Sequence, residues 1–340
     1  MTPSQGHSAI WLEQVLLGGV RRYAREQVAD FTGVPLDVTR QLWRAMGFAD
    51  VPDESVAFTE ADVTALARLT GLVSTGLVDQ ELGIRMTRAM GQTLSRLAEW
   101  QVQTFVEHLE QQDGLARDEA VATSVERIGR LLPEMEALLL YVWRRQLAAA
   151  ATRTLSVSDH EATARVQVVG FADLVGYTRL ARGLEEHELA SLVESFESRA
   201  ADIVASRGAR LVKTLGDEVL FVADEVEVGA DTGLRLAEEM VQDPQLPDVR
   251  VGMAAGTVLS RMGDVFGTTV NLASRLTALA RPGKVVVDAG FAEVVRTLPG
   301  FAVTTLWRRP VPGLGMVEPS VLSRAGAADA ATEPSGEPVG

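Results

Sequence analysis

The chain contains no cysteine, which excludes disulfide bridges and thiolate metal sites. It also lacks an excess of basic residues, because its formal net charge is −14, so a broad surface for nucleic-acid phosphates is not expected. Long apolar runs are missing as well. The most apolar short stretch, 138–143, ends at Arg144 and Arg145, whereas a helix that spans a bilayer needs roughly 20 apolar residues. We therefore expect neither a nucleic-acid partner nor a membrane span.

The first residues of the chain show no basic segment that leads into an apolar stretch, so no signal peptide is predicted. The absence of cysteine agrees with a reducing compartment. The composition, 46% hydrophobic and 23% charged, is that of an ordinary globular protein. With 340 residues the chain is long enough for two domains. We expect a cytoplasmic protein.

Apolar residues recur at spacings of three and four through the first half, which predicts an all-α domain over residues 1–150. Thr59 is expected to cap one of its helices. Long helical patterns follow over 79–111 and 118–131. Pro133 is then expected to start a separate helix, because proline is tolerated in the first turn.

The second half has a different pattern. Residues 151–164 are interpreted as a linker, because their centre is polar and has no period. From 165 to 324 the order is strand, helix, strand, hairpin, strand, helix, strand, which predicts an α+β domain of ferredoxin-like topology. The tail, 325–340, is rich in Ala, Gly, Pro and Glu and is predicted to be disordered.

Two aspartates stand at strand ends in this second domain. Asp173 ends the first strand, and Asp217 occupies the tip of the hairpin. In a ferredoxin-like sheet these two strands are neighbours, so both carboxylates can converge on one edge. Hard oxygen ligands of this kind suit Mg²⁺ or Mn²⁺ on a triphosphate. Taken singly, each aspartate is better explained as a cap or turn residue.

Three segments resemble motifs of the class III adenylyl cyclases. FADLVGYT (171–178) resembles the first metal motif, and KTLGDE (213–218) resembles the second. GDVFGTTVNLASR (263–275) resembles the segment for base recognition and transition-state stabilisation. The three occur in the family's order, and the resemblance covers roughly 165–324. It implies a ferredoxin-like class III catalytic domain, preceded by an all-α regulatory domain, that converts ATP into 3′,5′-cyclic AMP and pyrophosphate.

The resemblance assigns roles to the matching positions. Asp173 and Asp217 would hold two metal ions, either Mg²⁺ or Mn²⁺. Lys213 and Asp264 match the pair that reads adenine, in which the lysine donates to a ring nitrogen and the aspartate accepts from the exocyclic amine. Guanine presents a carbonyl in place of that amine, so the pair favours ATP over GTP.

Asn271 and Arg275 are four residues apart and share one face of a helix. The resemblance makes Asn271 the residue that orients the ribose and Arg275 the one that stabilises charge on the reacting phosphate. Alone, Arg275 would be an ordinary solvated arginine. In this family the metal ligands and the base-reading residues of one site come from opposite subunits. A complete set in one chain therefore implies a head-to-tail homodimer.

Two positions depart from the family pattern. Pro312 stands where many members place a basic residue that contacts the phosphates, and Thr257 stands where some place a phosphate-binding arginine. Arg308 and Arg309 are close by in the sequence and are candidates for the missing phosphate contact. Both departures put the rate in doubt more than the reaction.

An all-α half joined to a class III domain resembles the autoinhibitory, pH-responsive cyclases of actinobacteria. That likeness implies that the segment around the linker repositions the catalytic domains. His160 lies in the linker and His187 among glutamates. Nearby carboxylates favour the imidazolium, so both are candidates for pH sensing. The alternative is that both are exposed and inert.

Three functions remain open from the sequence. The first is an adenylate cyclase regulated by its helical half. The second is a cyclase-like signalling module with weak turnover, which Pro312 and Thr257 weakly favour. The third is a DNA-binding regulator with a nucleotide-sensing domain. Segment 26–43 resembles a helix-turn-helix, in which Ala29 and Gly33 have the usual separation, but any short helical corner needs such residues.

Overall fold

The computed structural model describes residues 13–155, 164–243, 246–261 and 263–326. The chain divides into two compact units, 1–152 and 153–340. Within its described residues the first unit is helical, apart from a single bridge between Tyr23 and Phe58. Its helices are α1 (Arg25–Thr32), α2 (Leu36–Ala45), α3 (Glu60–Ser74), α4 (Gln80–Gln112) and α5 (Arg117–Leu155).

Local sequence explains where α3 and α4 begin. Thr59 is the N-cap of α3: its backbone N–H donates to the Asp62 carboxylate at 2.7 Å, and its hydroxyl accepts from the Asp62 backbone N–H at 3.3 Å. This reciprocal pair satisfies two backbone groups at the helix start and confirms the predicted cap. Asp79 is the N-cap of α4, because its carboxylate accepts a hydrogen bond from the Leu82 backbone N–H at 2.7 Å.

Helix α5 is continuous through Pro133, so the prediction of a separate helix starting there is wrong. A proline removes its own N–H and strains one turn. Strong helix formers outweigh this local cost, with EMEALLL after the proline and Glu126, Arg130 and the two leucines before it. The described part of the helix runs to Leu155, past the alanine run 148–151.

The described strands and helices of the second unit are β1 (Ala164–Leu174), α6 (Tyr177–Leu180), α7 (Glu186–Ser206), β2 (Arg210–Leu215), β3 (Glu218–Ala223), α8 (Val226–Met240), β4 (Val249–Arg261), β5 (Asp264–Phe266), α9 (Thr268–Leu279), β6 (Val285–Val287), α10 (Ala289–Val295), β7 (Phe301–Thr305), β8 (Arg309–Val311), β9 (Gly315–Val317) and β10 (Ser320–Arg324). They form an eight-stranded sheet in the order β2-β3-β1-β4-β6-β10-β7, with β5 paired to β4, and a separate β8-β9 hairpin. Strand β1 lies between β3 and β4 and is antiparallel to both. The predicted ferredoxin-like order, with a central first strand, is confirmed.

The sheet carries a hydrophobic core on each face. On one face Phe196, Met240 and Phe291 come from α7, α8 and the start of α10. On the other face Leu276 of α9 and Val265 of β5 pack against the strands. Helix α9 approaches the sheet so closely that a Cβ atom on Gly252 would lie 2.0 Å from the backbone nitrogen of Thr277. Helix α9 can therefore pack this closely on β4 only because Gly252 has no side chain.

Helices α4 and α5 have 33 and 39 residues, but both carry charged side chains throughout their length. Among the described residues, no helix combines the length and the apolar character needed to cross a bilayer.

Candidate active site

Asp173 and Asp217 converge on one edge of the sheet. Asp173 is the penultimate residue of β1, where it pairs with Glu218 of β3 and Arg250 of β4. Asp217 lies in the two-residue turn between β2 and β3, which Gly216 opens with a φ of 70°. The N–H of Leu174 donates to the carbonyl of Asp217 at 2.9 Å and ties this turn to the end of β1. This is the juxtaposition that the strand order predicts.

A third carboxylate, that of Glu218, joins them. Asp173 is only 8% exposed, and this burial raises its pKa, although a hydrogen bond from Arg250 opposes the shift. Burial, together with the negative charges of Asp173 and Asp217, raises the pKa of Glu218 to about 7. At this edge of the sheet the carboxylates therefore carry more negative charge than Arg250 offsets.

The donor set fits a divalent cation. Among the described residues, no three Asp, Glu, His or Cys side chains form a complete metal cage. Mg²⁺ is commonly held by one or two carboxylates together with the phosphates of a substrate, so a complete cage of protein ligands is not needed. Asp173 and Asp217 supply hard oxygen donors, and the crowded carboxylates around Glu218 would be relieved by a cation.

Lys213 and Asp264 meet directly. Lys213 Nζ lies 2.6 Å from Asp264 Oδ2, which brings β2 and β5 together. The other carboxylate oxygen of Asp264 accepts from the N–H of Val265 at 2.8 Å. Partial burial alone would raise the pKa of Asp264, but the hydrogen bonds from Lys213 and Val265 lower it. Asp264 is held as an ionised acceptor.

Asn271 and Arg275 are both exposed on α9, one helical turn apart. The start of this helix is anchored by Thr269, whose hydroxyl donates to the carbonyl of Thr257 at 2.9 Å. Thr257 is seven positions along β4 from Arg250, which corresponds to roughly 20 Å of strand. Farther along, α9 packs against Gly252, because the carbonyl oxygen of Ala273 lies 2.6 Å from the place of a Cβ atom there. Helix α9 therefore runs along β4 from Thr257 toward Gly252.

The remaining candidates lie elsewhere. Arg308 precedes β8 and its Nε is 3.8 Å from a carboxylate oxygen of Glu318, while Arg309 begins β8; both are exposed. Pro312 lies in the turn between β8 and β9. The sequence-predicted phosphate contacts thus belong to the separate hairpin.

Of the two histidines considered for pH sensing, His187 is exposed in the first turn of α7, beside Glu188. His160 lies outside the described residues.

Arg250 and Glu218 were not identified from the sequence. Glu218 directly follows Asp217 in the second motif, and this adjacency was an available signal. Arg250 carries no such signal, because it meets Asp173 through strand pairing between positions 77 residues apart. Only the register of β1 and β4 reveals it.

Comparison with known proteins agrees with this geometry. Residues 159–322 match the adenylate and guanylate cyclase catalytic domain, and residues 10–147 match the adenylate cyclase regulatory domain. The chain is 48% identical to an adenylate cyclase of Streptomyces coelicolor, over 95% of this chain and 91% of that protein. It is 40% identical to an adenylate cyclase of Glutamicibacter nicotianae, over 92% and 81% of the two chains.

A more distant relative is a pH-sensitive adenylate cyclase of Mycobacterium tuberculosis, which is 33% identical over 81% of this chain and 70% of that protein. The two domain matches and the 48% identity over 95% of the chain indicate the same family. The chain belongs to the class III adenylate cyclases that carry an N-terminal regulatory domain.

Proposed function

We propose that this protein is an adenylate cyclase that converts ATP into 3′,5′-cyclic AMP and pyrophosphate. The observation that carries the proposal is the tie between Leu174 and the Asp217 carbonyl at 2.9 Å, which gathers Asp173 and Asp217 at one edge. The same domain also holds a ready-made base-reading pair, Lys213 and Asp264. Identity of 48% to an adenylate cyclase supports the same reaction. Because ATP is the substrate, we place the protein in the cytoplasm.

Asp173 and Asp217 would hold two divalent cations, for which Mg²⁺ and Mn²⁺ are both suited to the carboxylate donors. When bound, the ions supply activation of the ribose 3′-hydroxyl and neutralisation of the triphosphate. The chain itself preorganises the donors. Strand pairing fixes Asp173, and the backbone hydrogen bond from Leu174 fixes the turn that carries Asp217.

Lys213 and Asp264 select the base. Asp264 stays ionised, because hydrogen bonds lower its pKa, and it can accept from the exocyclic amine of adenine. Lys213 is held beside it and donates to a ring nitrogen. The carbonyl of guanine would face the carboxylate of Asp264 with no proton between them, which disfavours GTP.

Asn271 would orient the ribose, and Arg275 would stabilise the charge that develops on the reacting phosphate. The family resemblance supports a site shared between two chains, and Asn271 and Arg275 are both exposed on α9. In a head-to-tail pair of catalytic domains, α9 of one copy would face the acidic edge of the other. Such a homodimer has two equivalent sites.

Arg308 and Arg309 are proposed to contact the phosphates in place of a basic residue at Pro312, because both are exposed and charged beside that hairpin. The helical unit is proposed to regulate the enzyme in response to pH, and His160 and His187 are the candidate sensors. The weak-turnover module and the DNA-binding regulator are less well supported, because all six expected site residues are present.

The test is a nucleotide assay on the purified full chain. ATP or GTP would be supplied with Mn²⁺ or Mg²⁺ across a range of pH, beside an Asp217→Ala variant. We expect cyclic AMP from the parent and almost none from the variant. Equal background formation of cyclic AMP by both proteins would refute the proposal that this chain is an enzyme. Faster turnover of GTP than of ATP would refute the assignment of Lys213 and Asp264.

A further inference from the structure

Arg179 follows Asp173 by six positions, in the single helical turn α6 that comes after β1. Side chains of a helical turn point back toward its N-terminus. In agreement with this, Nη2 of Arg179 lies 3.4 Å from the place that a Cβ atom on Gly176 would take. The guanidinium is therefore folded back over the turn that leads from β1 into α6.

Backbone hydrogen bonds hold this turn against the acidic edge of the sheet. On one side the end of β1 is tied to the Asp217 turn, and on the other side the N–H of Val175 donates to the carbonyl of Asp248, just before β4, at 2.8 Å. Gly176 follows directly, so its Cα lies at most about 11 Å from that of Asp173. The guanidinium over this turn is thus placed beside the edge at which the ions and the triphosphate are proposed to bind.

The guanidinium of Arg179 is not engaged by the chain itself. Arg179 is exposed, and among the residues that the structure describes its side chain forms neither an ion pair nor a hydrogen bond. This occurs in an acidic chain, which has 46 aspartates and glutamates against 32 lysines and arginines. Arg250, the cation at the same edge, is instead bound to Asp173. Within the described part of the chain, Arg179 is therefore a cation that is available to an outside anion.

We propose that Arg179 is a substrate-binding residue that contacts the triphosphate of the nucleotide. This inference rests on the proposed function, in which a metal-bound triphosphate lies at Asp173 and Asp217. A guanidinium presents N–H donors in one plane and can bind two phosphate oxygens at once. Arg308 and Arg309 are proposed to reach the phosphates from the β8-β9 hairpin, so Arg179 adds a contact from the side of the metal ligands.

The test is the binding of inorganic tripolyphosphate, which has neither base nor ribose. Isothermal titration calorimetry on the full chain in excess Mg²⁺ gives its dissociation constant without turnover. The compared proteins are the parent, Arg179→Gln, Arg179→Lys and the control Arg182→Gln. Arg182 is a matched control, because it is also exposed and also has no side-chain partner among the described residues. Its side chain does not come within 4 Å of a Cβ atom built on Gly176.

We expect Arg179→Gln to raise the dissociation constant of tripolyphosphate about 10-fold, the effect of losing a hydrogen bond between charged groups. Arg179→Lys should raise it about 3-fold, because the charge remains but the paired donors are lost. Arg182→Gln should match the parent. An unchanged constant in Arg179→Gln would overturn the proposal, and so would an equal loss in Arg182→Gln or a parent that does not bind tripolyphosphate. If Arg179→Gln does not fold, Arg179→Lys decides alone.

The KM for ATP shows whether the contact belongs to the productive site. It should rise in Arg179→Gln together with the dissociation constant of tripolyphosphate. A weaker binding of tripolyphosphate with an unchanged KM would place the contact outside that site and would refute the proposal. If the parent forms no cyclic AMP, the proposed function fails together with this inference. If the parent forms cyclic AMP and only the Arg179 comparisons fail, the proposed function stands.

Discussion

Lys213 and Asp264 are 51 positions apart in the chain, yet the Nζ of the lysine lies 2.6 Å from Oδ2 of the aspartate. The pair that we propose reads the base is thus already formed within one chain. In that proposal, adenine would replace one ion pair by two hydrogen bonds to the base, and two loose side chains would not have to be ordered. The pair would then need little reorganisation and would still demand one donor pattern of the base.

Substitution of one member of this pair should reduce the turnover of ATP more than the turnover of GTP. For Asp264→Ala we expect kcat/KM for ATP to fall by about 10- to 100-fold, the effect of losing one hydrogen bond to a charged group. GTP should lose less, because its carbonyl opposes the carboxylate. Initial rates with both nucleotides measure the ratio. An equal loss for ATP and GTP would show that Asp264 does not read the base.

Complementary variants should restore activity if sites are shared between copies. Asp173→Ala and Asn271→Ala should each be inactive alone. After unfolding and refolding together, about a quarter of the parental activity should return, since half of the dimers are mixed and each has one intact site of two. Asp173→Ala with Asp217→Ala is the control, because both remove the same half-site. No recovery in the first mixture would contradict the shared site.

The helical unit should lose stability in acid through Asp53. The carboxylate accepts from Nη1 of buried Arg25 at 2.6 Å and pairs with Nη2 of Arg40 at 2.5 Å. The hydrogen bond from Arg25 lowers the pKa of Asp53. A lowered pKa in the folded state means that the stabilisation is present above the unfolded pKa, near 4, and is lost as the pH falls through the folded value.

We therefore expect Asp53→Asn to lower the urea midpoint at pH 7 and to converge with the parent as the pH falls through the lowered pKa of folded Asp53. Tryptophan fluorescence reports mainly on this unit, because four of the five tryptophans precede residue 153. Asp113→Asn is the matched control: its ion pair with Arg127 is exposed, so little change is expected. A constant difference between Asp53→Asn and the parent at all pH values would exclude the ionisation as the cause.

Gly252 should tolerate no side chain. A Cβ atom there would lie 2.0 Å from the backbone nitrogen of Thr277, and backbone atoms cannot rotate away. We expect Gly252→Ala to destabilise the catalytic domain by about 2–3 kcal/mol and to reduce turnover by shifting α9. Gly71→Ala is the comparison, because Gly71 lies in α3 with nothing within 4 Å of its would-be Cβ. The thermal unfolding midpoints of both variants show whether the lack of room for a Cβ atom at Gly252 causes the loss of stability.

Local patterns predicted much of the catalytic domain. The Gly216 turn, the strand before Asp173 and the helix that carries Asn271 all depend on neighbours within a few residues. The prediction of a helix start at Pro133 was wrong for a physical reason. A proline can lie in the first turn of a helix or inside a helix of strong helix formers, and the flanking residues do not distinguish these two positions. Arg250 was out of reach, since its partner is chosen by strand register and not by nearby sequence.

Strand β4 is 13 residues long; its second residue, Arg250, pairs with Asp173, and its ninth, Thr257, accepts a hydrogen bond from Thr269 at the start of α9. In the proposed head-to-tail dimer, β4 would therefore connect the carboxylates that a copy gives to one site with the helix that it gives to the other. A rotation of one catalytic domain against the other would then move both contributions together. The two sites of such a dimer would be gained or lost as a single event.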